Sequence, residues 1–460
     1  MKSKKLHSKS LVVFFVLFVF FLVASVWTLF LRLEGEKPYI ETGSQLLFLN
    51  ESQDILFEVS DTKSGLRRIF VTLEQEGKEV TLYEKDFSGD LLTGKGNKNE
   101  ISFSVIIEPE TLGFTEGKAI LRIVAIDYSW RGWFQGNITY DERELIIDTE
   151  PPEIDVITRA HNISYGGAGL LIYRLSEPCS ISGVNIEKDF FPGYSGYYKD
   201  PDIFLSFFAL DYKNKDVSNV FVQATDKAGN RTRKGFYYHI RGKTFKHDVL
   251  NISDSFLQRK MPEFESDFAF DPKASMKEKY IIVNNKLRKG SYQKISELAN
   301  KTNNVLYWDG PFLRLKGSAT MAGFADHRTY MYHGKIIDKQ VHMGVDLASL
   351  AHASVSASNN GKVVLAKYVG IYGKTVIIDH GFGLFSMYAH LSSISVKAGQ
   401  MASKGDNIGK TGMTGLAGGD HLHFSMIVNK TFVNPIEWWD AEWIKNNISS
   451  KINAVTTQGM

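Results

Sequence analysis

Near the C-terminus of this 460-residue chain, three short stretches hold side chains from which a metal site can be built. His342-Met-Gly-Val-Asp346 offers one imidazole nitrogen and one carboxylate oxygen, and Gly418-Gly-Asp-His421-Leu-His423-Phe offers two more imidazoles. His421 and His423 open the run His-Leu-His-Phe-Ser-Met-Ile-Val, whose β-branched and aromatic residues read as a strand. Residues two apart on a strand point to one face, so both imidazoles are expected to face the same way. His342 and Asp346 with a third imidazole make a three-ligand zinc set, and three protein ligands leave the fourth tetrahedral position open, as in catalytic sites. Neither an HxxxD nor an HxH pair is specific alone; Ser386-Met-Tyr-Ala-His390-Leu supplies the third element that makes the set specific.

With those pieces in place, the stretch from about Gly317 to Trp439 resembles the lysostaphin/LytM-type zinc peptidases that cut cell-wall peptide cross-bridges. Gly361-Lys-Val-Val, Gly373-Lys-Thr-Val-Ile-Ile-Asp-His380-Gly, Val396-Lys-Ala-Gly-Gln400, Lys404-Gly-Asp-Asn-Ile-Gly-Lys-Thr-Gly412 and Asn434-Pro435 follow in the family's order. The resemblance implies that His342, Asp346 and His423 are the ligands of one zinc ion per chain, and that His390 and His421 are the non-ligand catalytic pair. It also implies an antiparallel β peptidase domain of the duplicated hybrid motif kind. One departure stands out: where the family often opens with Phe-Gly-x-Arg, this chain reads Gly323-Phe-Ala-Asp-His-Arg328.

Two neutral imidazoles and one carboxylate leave a bound zinc ion with net positive charge, which brings the pKa of its water toward about 7 and lets the ion polarise an amide carbonyl. His390 and His421 are placed to move the water's proton and to stabilise the developing oxyanion; the sequence does not say which does which. No HExxH helix is present, so the glutamate base of that zinc class is missing. Gly412, Gly415, Gly418 and Gly419 either leave room for an extended peptide or form ordinary tight turns. His327, His333, His352 and His380 read as surface or packing residues.

A site of this kind needs a scaffold, and the rest of the chain is expected to supply it as a mainly β, multidomain protein. Residues 1–10 carry Lys2, Lys4, Lys5 and Lys9 with no acid, and the uncharged run 11–31 is long enough to span a bilayer as a helix. Positive charge before the span keeps the N-terminus cytoplasmic and exports the remainder. The run is longer than a signal-peptide core and lacks a clean cleavage site, which favours an uncleaved anchor in the inner or plasma membrane. Short alternating runs such as Ser44–Leu49, Asp54–Val59 and Ala119–Ala125 make 35–150 a β-sandwich module. Asp148-Thr-Glu-Pro-Pro marks a joint, and 151–242 repeats the theme, Val124-Ala-Ile-Asp127 corresponding to Val222-Gln-Ala-Thr-Asp226. Ala224-Thr-Asp-Lys-Ala-Gly-Asn230 with the Pro-Pro joint makes these modules resemble bacterial immunoglobulin-like domains, which host many roles; here they read as spacers, with carbohydrate or partner binding the lesser alternative.

Residues 243–304 shift to helical spacing, with a helix over Ser253–Lys260, another over Ala274–Arg288, and a third capped by Ser291. This small helical adaptor is positioned to pack between sandwich and peptidase, and to cover the groove. The peptidase is expected over 305–445, followed by a flexible tail over 446–460. Net charge is +3, no basic cluster interleaves with aromatics, and no nucleic-acid partner is implied. Cys179 is alone, so no intramolecular disulfide forms. The functional expectation is a membrane-anchored zinc endopeptidase acting on peptidoglycan peptide, its site exported to the periplasmic or extracytoplasmic side. The alternative is a non-catalytic regulator that uses the same groove to recruit another wall hydrolase.

Overall fold

The computed structural model describes residues 4–43, 48–214, 216–266 and 268–458. Most of the expected strand over 44–49, and Lys2 of the basic tail, lie outside them; Phe48–Leu49 is a strand. The apolar run lies in one helix, Lys4–Arg32, of which Ser10–Arg32 is long and apolar enough to cross a membrane. By its contacts the chain divides into two compact units, Met1–Pro151 with Lys227–Asn230, and Pro152–Asp226 with Arg231–Met460. The division falls inside the Pro-Pro segment.

Beyond its long helix, the first unit has two larger sheets and a short pairing of Gly89–Asp90 with Lys95–Gly96. One orders Tyr39–Thr42, Gln53–Ser60 and Glu100–Ile107; the other orders Phe48–Leu49, Ile138–Ile147, Gly117–Asp127, Leu66–Gln75 and Lys78–Asp86. Alternation decides which face is covered: Ile55, Phe57, Val105 and Ile107 of one sheet share a core with Val71, Leu73, Leu121, Ile123 and Ile147 of the other.

In the second unit, the segment expected as a separate module over 151–242 shares one continuous core with the C-terminal domain. Its strand Ile203–Ala209 places Phe207 with ring centroids 6.3 Å from both Trp308 and Trp438. Polar ties cross the same contact: Tyr194 donates to Asn429 Oδ1 at 3.1 Å, and the Ala168 amide to Glu437 Oε2 at 3.0 Å. Buried aromatics on both sides explain why these sheets form one unit rather than two.

The C-terminal domain is organised on an antiparallel sheet in the order Ala319–Ala322, Val345–Ala348, Leu422–Val428, Leu384–Leu391, Lys374–Gly381, Gly361–Tyr368 and Met401–Ala402, with Thr431–Val433 paired to Leu422–Val428. Its central strands are buried along nearly their whole length, so both faces of the sheet are covered there.

The segment 243–304 begins with a strand, His247–Asn251, parallel to His327–Tyr332. Asp254–Lys260 follows, capped by Ser253, whose Oγ accepts from the Phe256 amide; a Ser275–Glu278 capping box opens Met276–Ile282. The expected cap at Ser291 is corrected by the structure. The helical run continues from Met276 through a wide turn at Val283–Leu287 to Lys301, and Ser291 lies inside it, its Oγ donating to the Leu287 carbonyl at 2.8 Å. The tail is a second correction. Residues 445–458 are helical, and Ile444, Ile448, Ile452 and Val455 are buried, a spacing of four, four and three that keeps one apolar face on the core.

Candidate metal centre and active site

Pairing register builds the centre. Asp346 on Val345–Ala348 sits opposite His423 on Leu422–Val428, and Ala389, just before His390, pairs with His423 from the other side. His342 precedes the first of these strands by one short turn. Its Nε2 lies 2.9 Å from both Asp346 Oδ1 and His423 Nδ1, which are themselves 2.9 Å apart.

Hydrogen bonds on the far side of each ring fix the tautomers. His342 Nδ1 faces the Gly323 carbonyl at 2.8 Å, an acceptor only, so Nδ1 carries the hydrogen and Nε2 is bare. Ser425 gives its hydroxyl hydrogen to the Met343 carbonyl at 2.8 Å, so at 3.1 Å it accepts from His423 Nε2 and leaves His423 Nδ1 bare. Burial also pushes the His423 imidazole down to about 4, keeping it neutral at ordinary pH. Burial alone would raise Asp346, but the surrounding histidines hold its carboxyl well below the usual range. Two bare nitrogens and a carboxylate oxygen therefore converge with no hydrogen to share, an arrangement that a divalent cation satisfies.

The other two candidate histidines anchor their rings through Nδ1. His390 Nδ1 donates to the Thr414 carbonyl and His421 Nδ1 to the Gly419 carbonyl, at 2.9 and 2.8 Å. His421 Nε2 then faces Asp346 Oδ1 at 3.4 Å, and the His390 ring lies 4.9 Å from that of His421 and 5.7 Å from that of His423. Burial would lower His421, but the hydrogen bond and charge of Asp346 outweigh it and the imidazole is raised. Burial and the neighbouring histidines push His390 well down. His390 reaches the site because the strand is irregular there: its φ is +62°, in the left-handed region, and the register with Lys374–Gly381 shifts beside it.

Three further residues complete the picture, and sequence reasoning singled out none of them for the site. Arg328 donates to Asp346 Oδ2 at 2.9 Å, holding the carboxylate so that Oδ1 faces the two imidazoles. The departure around Gly323-Phe-Ala-Asp-His-Arg328 thus still delivers an arginine and the carbonyl that orients His342. Tyr372, buried, packs its ring 5.4 Å from His423; its signal was the Gly370-Ile-Tyr372-Gly373 turn. Gly344 is required by space: a Cβ there would lie 2.6 Å from His423 Nε2, the Phe424 carbonyl and Ser425 Oγ.

A cavity of about 400 Å³ opens over the five residues, its far wall formed by Phe256, Tyr280 and Arg288 of the adaptor. In the glycine-rich loop, a Cβ on Gly415 would meet the Ile371 carbonyl at 2.5 Å, whereas Gly418 and Gly419 have open space before them. The tight-turn reading therefore holds at Gly415, where no side chain fits. His380 is buried between the Asn360 carbonyl and Ser386 Oγ, while His333 and His352 are exposed. His327 stacks on His247 at 4.9 Å.

Residues 340–435 match the description Peptidase family M23. Peptidoglycan DD-endopeptidase ShyA of Vibrio cholerae is 40% identical over 96 residues, 21% of this chain and 22% of that protein. DD-carboxypeptidase/endopeptidase Mpg of Neisseria meningitidis serogroup B is 33% identical over 133 residues, 28% of this chain and 31% of that one. The chain thus matches less than a third of the length of these relatives. The catalytic domain of the antimicrobial peptidase lysostaphin from Staphylococcus simulans is similar over 27% of this chain and 94% of its own, at 27% identity and a TM-score of 0.24. The C-terminal part of the chain is a peptidase family M23 domain of the lysostaphin/LytM type. M23 peptidases are zinc metallopeptidases, and the donor set of His342, Asp346 and His423 fits that ion.

Proposed function

We propose that this protein is a membrane-anchored zinc endopeptidase that hydrolyses peptide cross-links of peptidoglycan. The observation that carries the reading is the convergence of three bare donor atoms, mutually 2.9 Å apart, beneath two more histidines that present Nε2 to the same cavity. His342 Nε2, Asp346 Oδ1 and His423 Nδ1 would hold zinc. When bound, zinc supplies Lewis acidity, lowering the pKa of water and polarising the scissile carbonyl. His421 Nε2 takes the proton of the attacking water and returns it to the leaving amine; His390, held neutral by burial, accepts a hydrogen bond at Nε2 and so orients that water. Arg328 fixes Asp346, and the open side of Gly418 and Gly419 admits an extended peptide.

The names of the relatives support peptidoglycan peptide as substrate, and the helix ending at Arg32 supports a single-pass anchor with the cytoplasmic tail at 1–10, the span at 11–31 and an exported catalytic domain. The first sandwich, 35–150, serves as a spacer, an immunoglobulin-like module by its strand pattern. The second, 151–242, and the adaptor, 243–304, buttress the peptidase at 305–445.

Zinc content and cleavage of cross-linked stem-peptide dimers test the roles together in the detergent-solubilised full chain. His423→Ala should lose both, while His421→Ala should keep zinc and lose about 10²–10⁴ in turnover. Full turnover in His421→Ala would remove it from the mechanism.

A further inference from the structure

A second cluster of metal-binding groups lies in the first unit, where the chain leaves the apolar helix. Glu34 follows that helix by two residues, Asp61 begins the turn after the strand Gln53–Ser60, and Asp127 closes the strand Gly117–Asp127. One carboxylate oxygen from each lies within 4.8 Å of the others. None of the three makes an ion pair with a described lysine or arginine; Lys63 gives its ammonium to Glu36 at 2.9 Å instead.

Acidic groups often cluster without an ion, so the decisive feature is Asp61. Only 2% exposed, it uses Oδ1 to accept from the Lys63 and Gly65 amides, while Oδ2 is buried with no hydrogen-bond partner at all. A buried carboxyl oxygen without a donor is costly to leave unsatisfied. Ser64 donates to Glu34 Oε1 at 3.2 Å and Ser129 to the Glu34 carbonyl at 3.0 Å, but no described hydrogen reaches Asp61 Oδ2. Asn137 Nδ2 has two hydrogens but faces four acceptors within 3.2 Å: Asp127 Oδ2 at 2.8 Å, Glu34 Oε1 at 2.9 Å, and the carbonyls of Glu36 and Glu34 at 3.0 and 3.2 Å. At least two of those oxygens have no hydrogen from it.

We propose that Glu34, Asp61 and Asp127, with the carbonyl oxygens of Glu34 and Glu36, form a calcium-type divalent cation site that ties the segment leaving the apolar helix to the first sandwich. All the donors are hard oxygens, three of them carboxylates from separate segments, which suits a large cation with flexible coordination. The set contains no nitrogen or sulfur, so it differs in kind from the zinc site.

Equilibrium dialysis of the zinc-loaded, detergent-solubilised full chain against radioactive calcium tests this. The expected result is one calcium per chain, with a dissociation constant of about 0.1–1 mM as for extracellular modules, and a melting temperature that rises with calcium. Asp61→Asn and Glu34→Gln should each weaken binding about tenfold or more; Glu34 is partly exposed, so its variant remains informative even where Asp61→Asn fails to fold. Folded wild-type protein that takes up no calcium at about 10 mM overturns the proposal, as does unchanged binding by Glu34→Gln.

Discussion

Arg328 shows how the candidate metal site depends on a residue outside the proposed ligand set. With Oδ2 of Asp346 held at 2.9 Å, only Oδ1 is turned toward His342 and His423. Arg328→Met should lower zinc affinity about 10–100-fold, read by competition with a chromophoric chelator, while His421 and His390 keep their backbone anchors. Burial sets a separate, pH-dependent signature. His161, His380 and His423 are each pushed from 6.5 to about 4, so between those values the unfolded chain binds more protons than the folded one. Their contribution to stability is complete above about pH 6.5 and is lost as pH falls toward about 4. Melting temperatures measured across that window should drop, and His380→Gln, outside the metal cluster, should flatten the drop. Much of the site was legible here: period-two spacing put His421 and His423 on one face. The Tyr-Ala-His-Leu piece marked His390, but not the φ of +62° that turns it into the site, and the sheet pairing that brings Arg328 to Asp346 was not legible either.

At the scale of elements, two strands meeting at Asp346 and His423 leave no room for side-chain bulk between them. Gly344→Ala places a methyl group 2.6 Å from His423 Nε2 and should destabilise the fold by about 1–3 kcal/mol, with zinc lost alongside, as denaturant unfolding and metal analysis would show. The C-terminal helix makes the opposite point, since its composition looked polar. The spacing of Ile444, Ile448, Ile452 and Val455 was the signal, masked by lysines, asparagines and serines between them. Ile452 is 7% exposed, and its carbonyl also accepts from Tyr198. Ile452→Ala should cost roughly 2–5 kcal/mol; a loose tail would make the substitution neutral. Ser291 misled for a related reason, because a serine that bonds back to the preceding turn looks in sequence like one that starts a helix.

For the molecule as a whole, the division inside the Pro-Pro segment separates the helix-bearing unit from the unit that carries the site. Turn spacing showed many strands but not their ownership. The strands after Pro152 join the peptidase core through Phe207, Trp308 and Trp438, long-range packing that alternation does not encode. The adaptor, in turn, lends Phe256, Tyr280 and Arg288 to the cavity wall, so the groove is built by adaptor and peptidase domain together. The most direct measurement is digestion of purified cell-wall sacculi by the zinc-loaded full chain, with and without a chelator, followed by mass spectrometry of the soluble fragments. The account predicts loss of cross-linked peptide dimers with glycan strands intact, abolished by the chelator and restored by zinc. Stoichiometric zinc with dimers untouched, or cleavage that persists under chelation, would contradict it.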